Sequence, residues 1–371
     1  MRTEIGETMT FGIAGNAEAS RLHGWAGPEN GFAWTLDGES GVRLAEVAAP
    51  HGCFIELFVH PGIAPGIPHQ RIGVSMNGHE IGADILRQRG IYAYYCPAGC
   101  LARDNVLTIT HPDYYRGGPG ETNGAFAFNR LRVLPLTSPL AHIEAAVSAH
   151  AAGDAAAAER ITGVPVRDLV TGFEMLSGNC GFGLMQRDFD AEPLGLLRFM
   201  GAEQNVAIEM LDNDFAGLGQ NISCFVSNDE HREWMISDSV YSLYYHTMVL
   251  ERDASEAEIL QKESRKIEFL RRKMLSDLET PSKIYLFVDR FGMPRSAAIA
   301  LQLALRRKAG HPLLWVCEGD RFSEQVEVAG DGLTKAYLTV RDRGNDREIE
   351  EIDRQWLTVL TNAWLLNGRG P

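Results

Sequence analysis

The sequence predicts two domains: an all-β, jelly-roll-like sandwich over residues 1–138, and an α/β domain with an open, mostly parallel sheet over residues 165–371. Three observations carry this reading. The chain has 371 residues, 45% of them hydrophobic, enough for two domains that each bury a core. Residues 20–136 alternate with a period of two between clusters of Gly, Pro, Asn and Asp, without a convincing helical pattern. From residue 165 onward, short apolar runs alternate with amphipathic helical stripes.

The elements follow in order. Strands are expected at Phe32–Leu36 and Val42–Val47, then at 53–60, where Cys53, Ile55, Leu57 and Val59 alternate with Phe54, Glu56, Phe58 and His60. Ile72, Val74 and Met76 lead into Asn77-Gly78, a tight-hairpin signal. Ile91–Tyr95, Val106–Thr110 and Phe126–Leu134 complete the β half, which Pro135–Pro139 closes. The Ala-rich segment within 139–164 reads as a connector of two short helices broken at Gly153-Asp154.

In the second half, Leu169–Leu176 is expected to be a strand running into a Gly-rich turn at Cys180. Leu184–Met200 reads as a helix interrupted at Pro193. Ser239–Val249 is apolar, Tyr-rich and strand-like at its end. Ser255–Glu279 is the clearest helix: Ser255 and Glu258 make a capping box, and Leu260, Ile267, Leu270, Met274 and Leu278 form one stripe. Strand Lys283–Val288, helix Arg295–Ala309, strands Leu313–Cys317 and Ala336–Val340, and helix Glu348–Leu366 finish the chain.

The formal charge of −14 repels a phosphate backbone, which argues against nucleic acid or an anionic membrane as the main partner. The densest basic cluster (Arg265, Lys266, Arg271, Arg272, Lys273) reads as a solvated helix face. No segment has the ~20 apolar residues that a membrane-spanning helix needs. The first twenty residues lack a secretory pattern, and six scattered cysteines suit free thiols in a reducing cytoplasm. Cys96 and Cys100 form a Cys-x-x-x-Cys pair with no nearby residues to complete a metal set.

The densest chemical signal is Leu176-Ser177-Gly178-Asn179-Cys180-Gly181-Phe182-Gly183. A thiol where a strand turns into a helix feels unpaired N–H groups and the positive end of the macrodipole, which lower its pKa. The same N–H groups, with the Asn179 amide, suit an oxyanion. A thiol nucleophile needs a base. His246, at the end of a predicted strand, is the first choice, with His231 and His311 as rivals. Asp289, directly after a strand, is the candidate orienting acid; Glu318 and Asp320 hold equivalent places. Gly181, Gln186, Arg187 and Tyr245 flank these groups and are the candidate substrate contacts. All these residue types also serve structural ends, a buried Cys as a small hydrophobe above all. In the β half, Trp34, Tyr114 and Tyr115 offer ring faces for sugar stacking.

Residues 173–366, through "LSGNCGFGLMQRDFDAEPLGLLRF", "YSLYYHTMVL", "RKIEFLRRKMLSDLE" and "PLLWVCEGD", resemble a group of bacterial proteins similar to papain-like cysteine peptidases. The shared features are a Gly-Asn-Cys turn and a later strand His. The resemblance implies Cys180 as nucleophile and His246 as base, and fixes no third member. Papain-like enzymes place the Cys on a long helix and the His on an antiparallel sheet, whereas the alternation here predicts an open α/β domain. A Gly-Asn-Cys turn also occurs in acyltransferase-like proteins of polysaccharide biosynthesis. The first half, through "GWAGPENGFAWTLDG", "QRIGVSMNGHEIG" and "FNRLRVLPL", resembles accessory β-sandwich modules of bacterial glycosyltransferases and glycan proteins.

The expected function is a thiol-dependent acyl hydrolase or acyltransferase in bacterial glycan or cell-surface polysaccharide metabolism. Its substrate is a glycan-linked or peptide acyl group, and it needs no metal or cofactor. Two alternatives stay open. One is a non-catalytic carbohydrate-binding protein. The other is a glycosyltransferase-like enzyme using Asp188-Phe189-Asp190 or Asp212-Asn213-Asp214 to hold a divalent cation.

Overall fold

The computed structural model describes residues 6–113, 124–140, 145–177, 180–339 and 346–368. The chain divides into two units, Met1–His142 with Phe291–Arg307, and Ile143–Arg290 with Lys308–Pro371.

The first unit runs through β1 (Thr8–Thr10), β2 (Trp25–Glu29), β3 (Phe32–Thr35), β4 (Glu39–Leu44), β5 (Cys53–Pro61), β6 (Gln70–Met76), β7 (His79–Leu86), β8 (Gly90–Cys96), β9 (Asn105–Thr110) and β10 (Phe126–Pro135). These strands pair antiparallel into two sheets, β2-β3-β10-β5-β8 with β1 also on β10, and β4-β9-β6-β7. The result is sandwich-like. Ile55, Leu57 and Val59 on one sheet and Val42, Val74 and Ile109 on the other are almost fully buried. Strand β5 is buried on both faces, since Phe54, Glu56 and Phe58 are covered as well, so the predicted alternation does not separate a core face from a solvent face. Asn77 and Gly78 both take positive φ, 52° and 81°, as a tight hairpin between β6 and β7 requires. On the opposite face of β5, Glu56 is ion-paired with Arg132, its register partner on β10, and both side chains are buried.

The second unit begins with β11 (Val147–Ser148), α1 (Ala155–Thr162), α2 (Val166–Thr171), β12 (Phe173–Ser177), α3 (Gly181–Asp188) and α4 (Gln204–Asp212). It continues with β13 (Ile222–Val226), β14 (Glu233–Asp238), β15 (Leu243–Leu250), α5 (Glu256–Glu279) and β16 (Ile284–Asp289). Helix α6 (Arg295–Arg306) follows in the chain but belongs to the first unit, where it packs on β8. The chain then returns through β17 (Leu313–Gly319), β18 (Ser323–Gly330), β19 (Leu333–Thr339) and α7 (Asp346–Leu366).

The larger sheet has the order β11-β18-β19-β17-β16-β12. β12, β16, β17 and β19 are parallel, while β18 and β11 add antiparallel at one side. Met175, Leu286, Val288, Leu314, Val316 and Leu338 share a core with Trp356 and Leu360 of α7. A separate antiparallel sheet has the order β13-β14-β15.

Several elements differ from expectation. Leu169 and Val170 belong to α2, which starts after Pro165, so the strand begins only at Phe173. Helix α3 ends at Asp188 instead of reaching Met200, and Asp190 turns the chain at φ 54° before Pro193. Within 139–164 the described residues hold one helix, α1, with Asp154 as its N-cap accepting from the Ala157 N–H; β11 precedes it. The capping box of α5 forms as the sequence indicates. Its buried stripe is Ile259, Glu263, Ile267, Leu270, Met274 and Leu278, so a glutamate and Ile259 stand where Leu260 was expected. Helix Arg295–Ala309, expected in the α/β half, falls with the β unit.

Candidate active site

Cys180 is the N-cap of α3, just beyond the carboxyl end of β12, and its carbonyl accepts from the Leu184 N–H at 2.9 Å. The carboxyl ends of β16 and β17 bring Asp289, Arg290 and Glu318 to the same edge of the parallel sheet. In open α/β sheets this edge is where ligands and reactive groups collect. Asn179 lies outside the described residues.

His246 sits on β15, opposite Met235 of β14. Glu233, two residues before Met235, accepts a hydrogen bond from His246 Nδ1. A bulge between Glu233 and Met235 makes this contact. It is held by the Thr247 hydroxyl, which donates to the Trp234 carbonyl at 2.7 Å. Next to it Met248 takes φ 59°, a left-handed conformation rare for a side chain of this size. The carboxylate takes Nδ1, so the ring presents Nε2 away from Glu233. The Glu233 side chain is nearly buried and the imidazole is half-exposed.

The two halves of this arrangement meet through charge. Burial pushes the Cys180 thiol above its ordinary pKa; Arg290 opposes that shift and Glu233 adds to it. Among the described residues, the imidazole is hydrogen-bonded to Glu233 and not to the Cys180 sulfur. This corrects the expectation of a lowered thiol pKa. Loss of water around the sulfur outweighs the single favourable side-chain charge. Arg290 is partly engaged, donating to Glu318 at 2.8 Å.

The other expected residues are placed as follows. Asp289 is buried at the end of β16, opposite Cys317, whose thiol its charge helps push up to about 12 after burial. Gln186 is buried, its amide donating to the Val170 carbonyl at 2.9 Å, so it ties α3 to α2. Arg187 donates to Glu192 at 2.6 Å. Tyr245 is buried, its hydroxyl donating to Glu263 of α5 at 2.8 Å, on the opposite face of β15 from His246. Gly181 opens α3. His231 is exposed in a loop, and buried His311 lies 3.0 Å from the Leu278 carbonyl. Glu318 is bound to Arg290, and Asp320 is exposed.

Trp34 packs edge-on to Phe32 and lies against Gly124. Tyr114 and Tyr115 lie outside the described residues. The Asp188 and Asp212 triplets both close helices, and Asp214 accepts from Lys308 at 2.5 Å. Among the described residues, no three His, Cys, Asp or Glu side chains are grouped to hold a metal ion.

Sequence reasoning named neither Glu233 nor Arg290 among the candidate site residues. The available signal for Glu233 was an acid opening the alternating run Glu233-Trp234-Met235-Ile236-Ser237-Asp238 shortly before His246.

No protein-family model and no curated protein match the chain. Among solved structures, similar ones include carbohydrate-binding modules and glycoside hydrolases, several of them resembling about a third of this chain. A family GH115 4-O-methyl-alpha-glucuronidase, with specificity for decorated arabinogalactans, is 12% identical over 36% of this chain and 18% of its own, with a TM-score of 0.27. Carbohydrate-binding module CBM36, in complex with calcium and xylotriose, is 9% identical over 35% of this chain and 92% of its own, with a TM-score of 0.20. A family 35 carbohydrate-binding module from an environmental isolate is 15% identical over 37% of this chain and 94% of its own, also with a TM-score of 0.20.

Proposed function

We propose that the second unit performs thiol-dependent acyl chemistry, hydrolysis or transfer, on a glycan-linked or peptide acyl group. The context is glycan or cell-surface polysaccharide metabolism. The unit follows papain-like logic on a scaffold with an open, mostly parallel sheet, and the β unit serves as an accessory module for glycan recognition. The observation that carries this reading is the His246–Glu233 pair, built across two strands and linked through Glu233 to the charge environment of Cys180. The six free cysteines are in keeping with a reducing compartment such as the cytoplasm.

The chemistry follows from the charges. His246 Nε2 takes the Cys180 proton as the sulfur attacks the acyl carbon. The carbonyl oxygen becomes an oxyanion beside the first-turn N–H groups of α3. Glu233 stabilises the imidazolium, and Arg290 favours thiolate over thiol. When the tetrahedral centre collapses, the leaving group departs with the proton from His246. Water or an acceptor hydroxyl then attacks the thioester, again with His246 as base, and the thiol is restored.

A panel of O-acylated sugars and short peptides, assayed for acid release or acyl transfer, tests the reading. The wild-type chain should turn over at least one class, and Cys180→Ala and His246→Ala should abolish that turnover. Undiminished turnover by Cys180→Ala would overturn the proposal.

A further inference from the structure

The Cys-x-x-x-Cys pair singled out in the sequence has a different partner in the fold. Cys96 is the last residue of β8, and the residue directly opposite it, on β5, is Cys53. Both are fully buried. The two sulfurs are close enough for each to shift the other's acidity, and Cys96 Sγ lies 3.7 Å from the Pro97 carbonyl. Opposed residues on antiparallel strands lie with Cα atoms about 4.5–5.5 Å apart, inside the roughly 4.4–6.8 Å span of a disulfide. Cys100 is half-buried and separated from Cys96 by the Ala98–Cys100 turn that Pro97 opens. Its carbonyl is tied down by the Asn77 amide at 2.9 Å. Tyr95 lies within electrostatic reach of all three sulfurs, and its hydroxyl donates to the His51 carbonyl at 3.3 Å.

We propose that Cys53 and Cys96 form a reversible dithiol–disulfide site, oxidised by a small peroxide, that staples the edge strand β8 to β5. The two thiols differ. The Cys53 thiol shifts far up through its neighbour Cys96 and through burial, while the neighbouring Cys53 lowers Cys96. Cys96 is therefore the attacking sulfur. Its thiolate attacks hydrogen peroxide: an S–O bond forms, the O–O bond breaks, and hydroxide leaves. The Cys53 sulfur then attacks the sulfenic sulfur of Cys96. An S–S bond forms, the S–O bond breaks, and the departing hydroxide leaves as water with the Cys53 proton. Two thiols are oxidised, and one peroxide is reduced to two waters. Access comes from position: both cysteines stand at strand ends, on the pair that includes the sheet edge, where local opening is easiest. A small peroxide can enter such an opening where a bulky oxidant cannot.

Peptide mapping of the full chain after hydrogen peroxide treatment and alkylation under denaturing conditions tests this. The expected result is a Cys53–Cys96 linked peptide pair. It should come with a rise of about 5 °C or more in the unfolding midpoint, reversed by dithiothreitol and absent in Cys53→Ser. Cys100→Ser should keep both the link and the rise. Should Cys53→Ser fail to fold, the wild-type and Cys100→Ser maps decide alone. Full labelling of all six thiols after peroxide, or a link from Cys96 to Cys100, overturns the proposal.

Discussion

The Cys180 thiol rests protonated because burial outweighs Arg290, and this makes its reactivity a sensitive probe of its neighbours. Alkylation of Cys180 by iodoacetamide should be slow at pH 6–7 and climb steadily through the alkaline range, since the thiolate is the reactive form. Arg290→Gln should slow alkylation at fixed pH and Glu233→Gln should speed it. Each effect should be about two- to fivefold, the size expected of a partly screened charge. The Glu233 change also replaces the charged acceptor for His246 Nδ1 with a neutral amide oxygen, so turnover should fall while thiol reactivity rises. A parallel rise of both would detach Glu233 from the imidazole. Buried Glu56 and Arg132 give a second residue-level test. Arg132→Met alone strands a buried carboxylate and should cost about 3–5 kcal/mol in urea unfolding, whereas Glu56→Leu with Arg132→Met should recover most of it.

At the scale of elements, β14 and β15 explain why some residues of the candidate site drew notice in the sequence and others did not. Cys180 stood out because glycines flank it, and His246 because it closes an apolar, Tyr-rich run. Glu233 did not. It follows the polar turn Asn228-Asp229-Glu230-His231-Arg232, and its meeting with His246 depends on a cross-strand register and a bulge. Neither leaves a periodic trace in one sequence. Strand β18, Ser323–Gly330, was missed for a related reason: its run Ser323-Glu324-Gln325-Val326-Glu327 carries little apolar pattern. Helix α5 was legible because its cap and its stripe agree. Its buried Glu263 was not, because that carboxylate is satisfied from β15 by Tyr245 and along the helix by Lys266. Tyr245→Phe should therefore destabilise the fold by about 1–3 kcal/mol and leave Cys180 alkylation unchanged. Loss of substrate affinity without loss of stability would instead return Tyr245 to the site.

Across the whole molecule, pH acts through buried groups in the β unit as well as through the site. His111 is fully buried against Ser40, and burial lowers its pKa to about 4. The unfolded chain, with a histidine pKa of about 6.5, binds that proton first. Stability is therefore complete above pH 6.5 and is lost as pH falls toward 4, by up to about 3 kcal/mol from this residue. His111→Asn should flatten the acid limb of the stability profile, measured by urea midpoints between pH 4 and 7. At this scale the antiparallel, sandwich-like character of the first unit was legible from its period-two alternation. The allegiance of α6 to the β unit was not, because an amphipathic stripe does not name the surface it covers. The proposed chemistry forms and breaks a bond at the Cys180 sulfur, and intact mass spectrometry reads that bond. After brief exposure to an activated acyl ester, the protein should carry one acyl group on Cys180, formed more slowly in His246→Ala and Glu233→Ala and lost again in wild-type protein. Acyl labelling confined to other residues, or equally fast in His246→Ala, would contradict it.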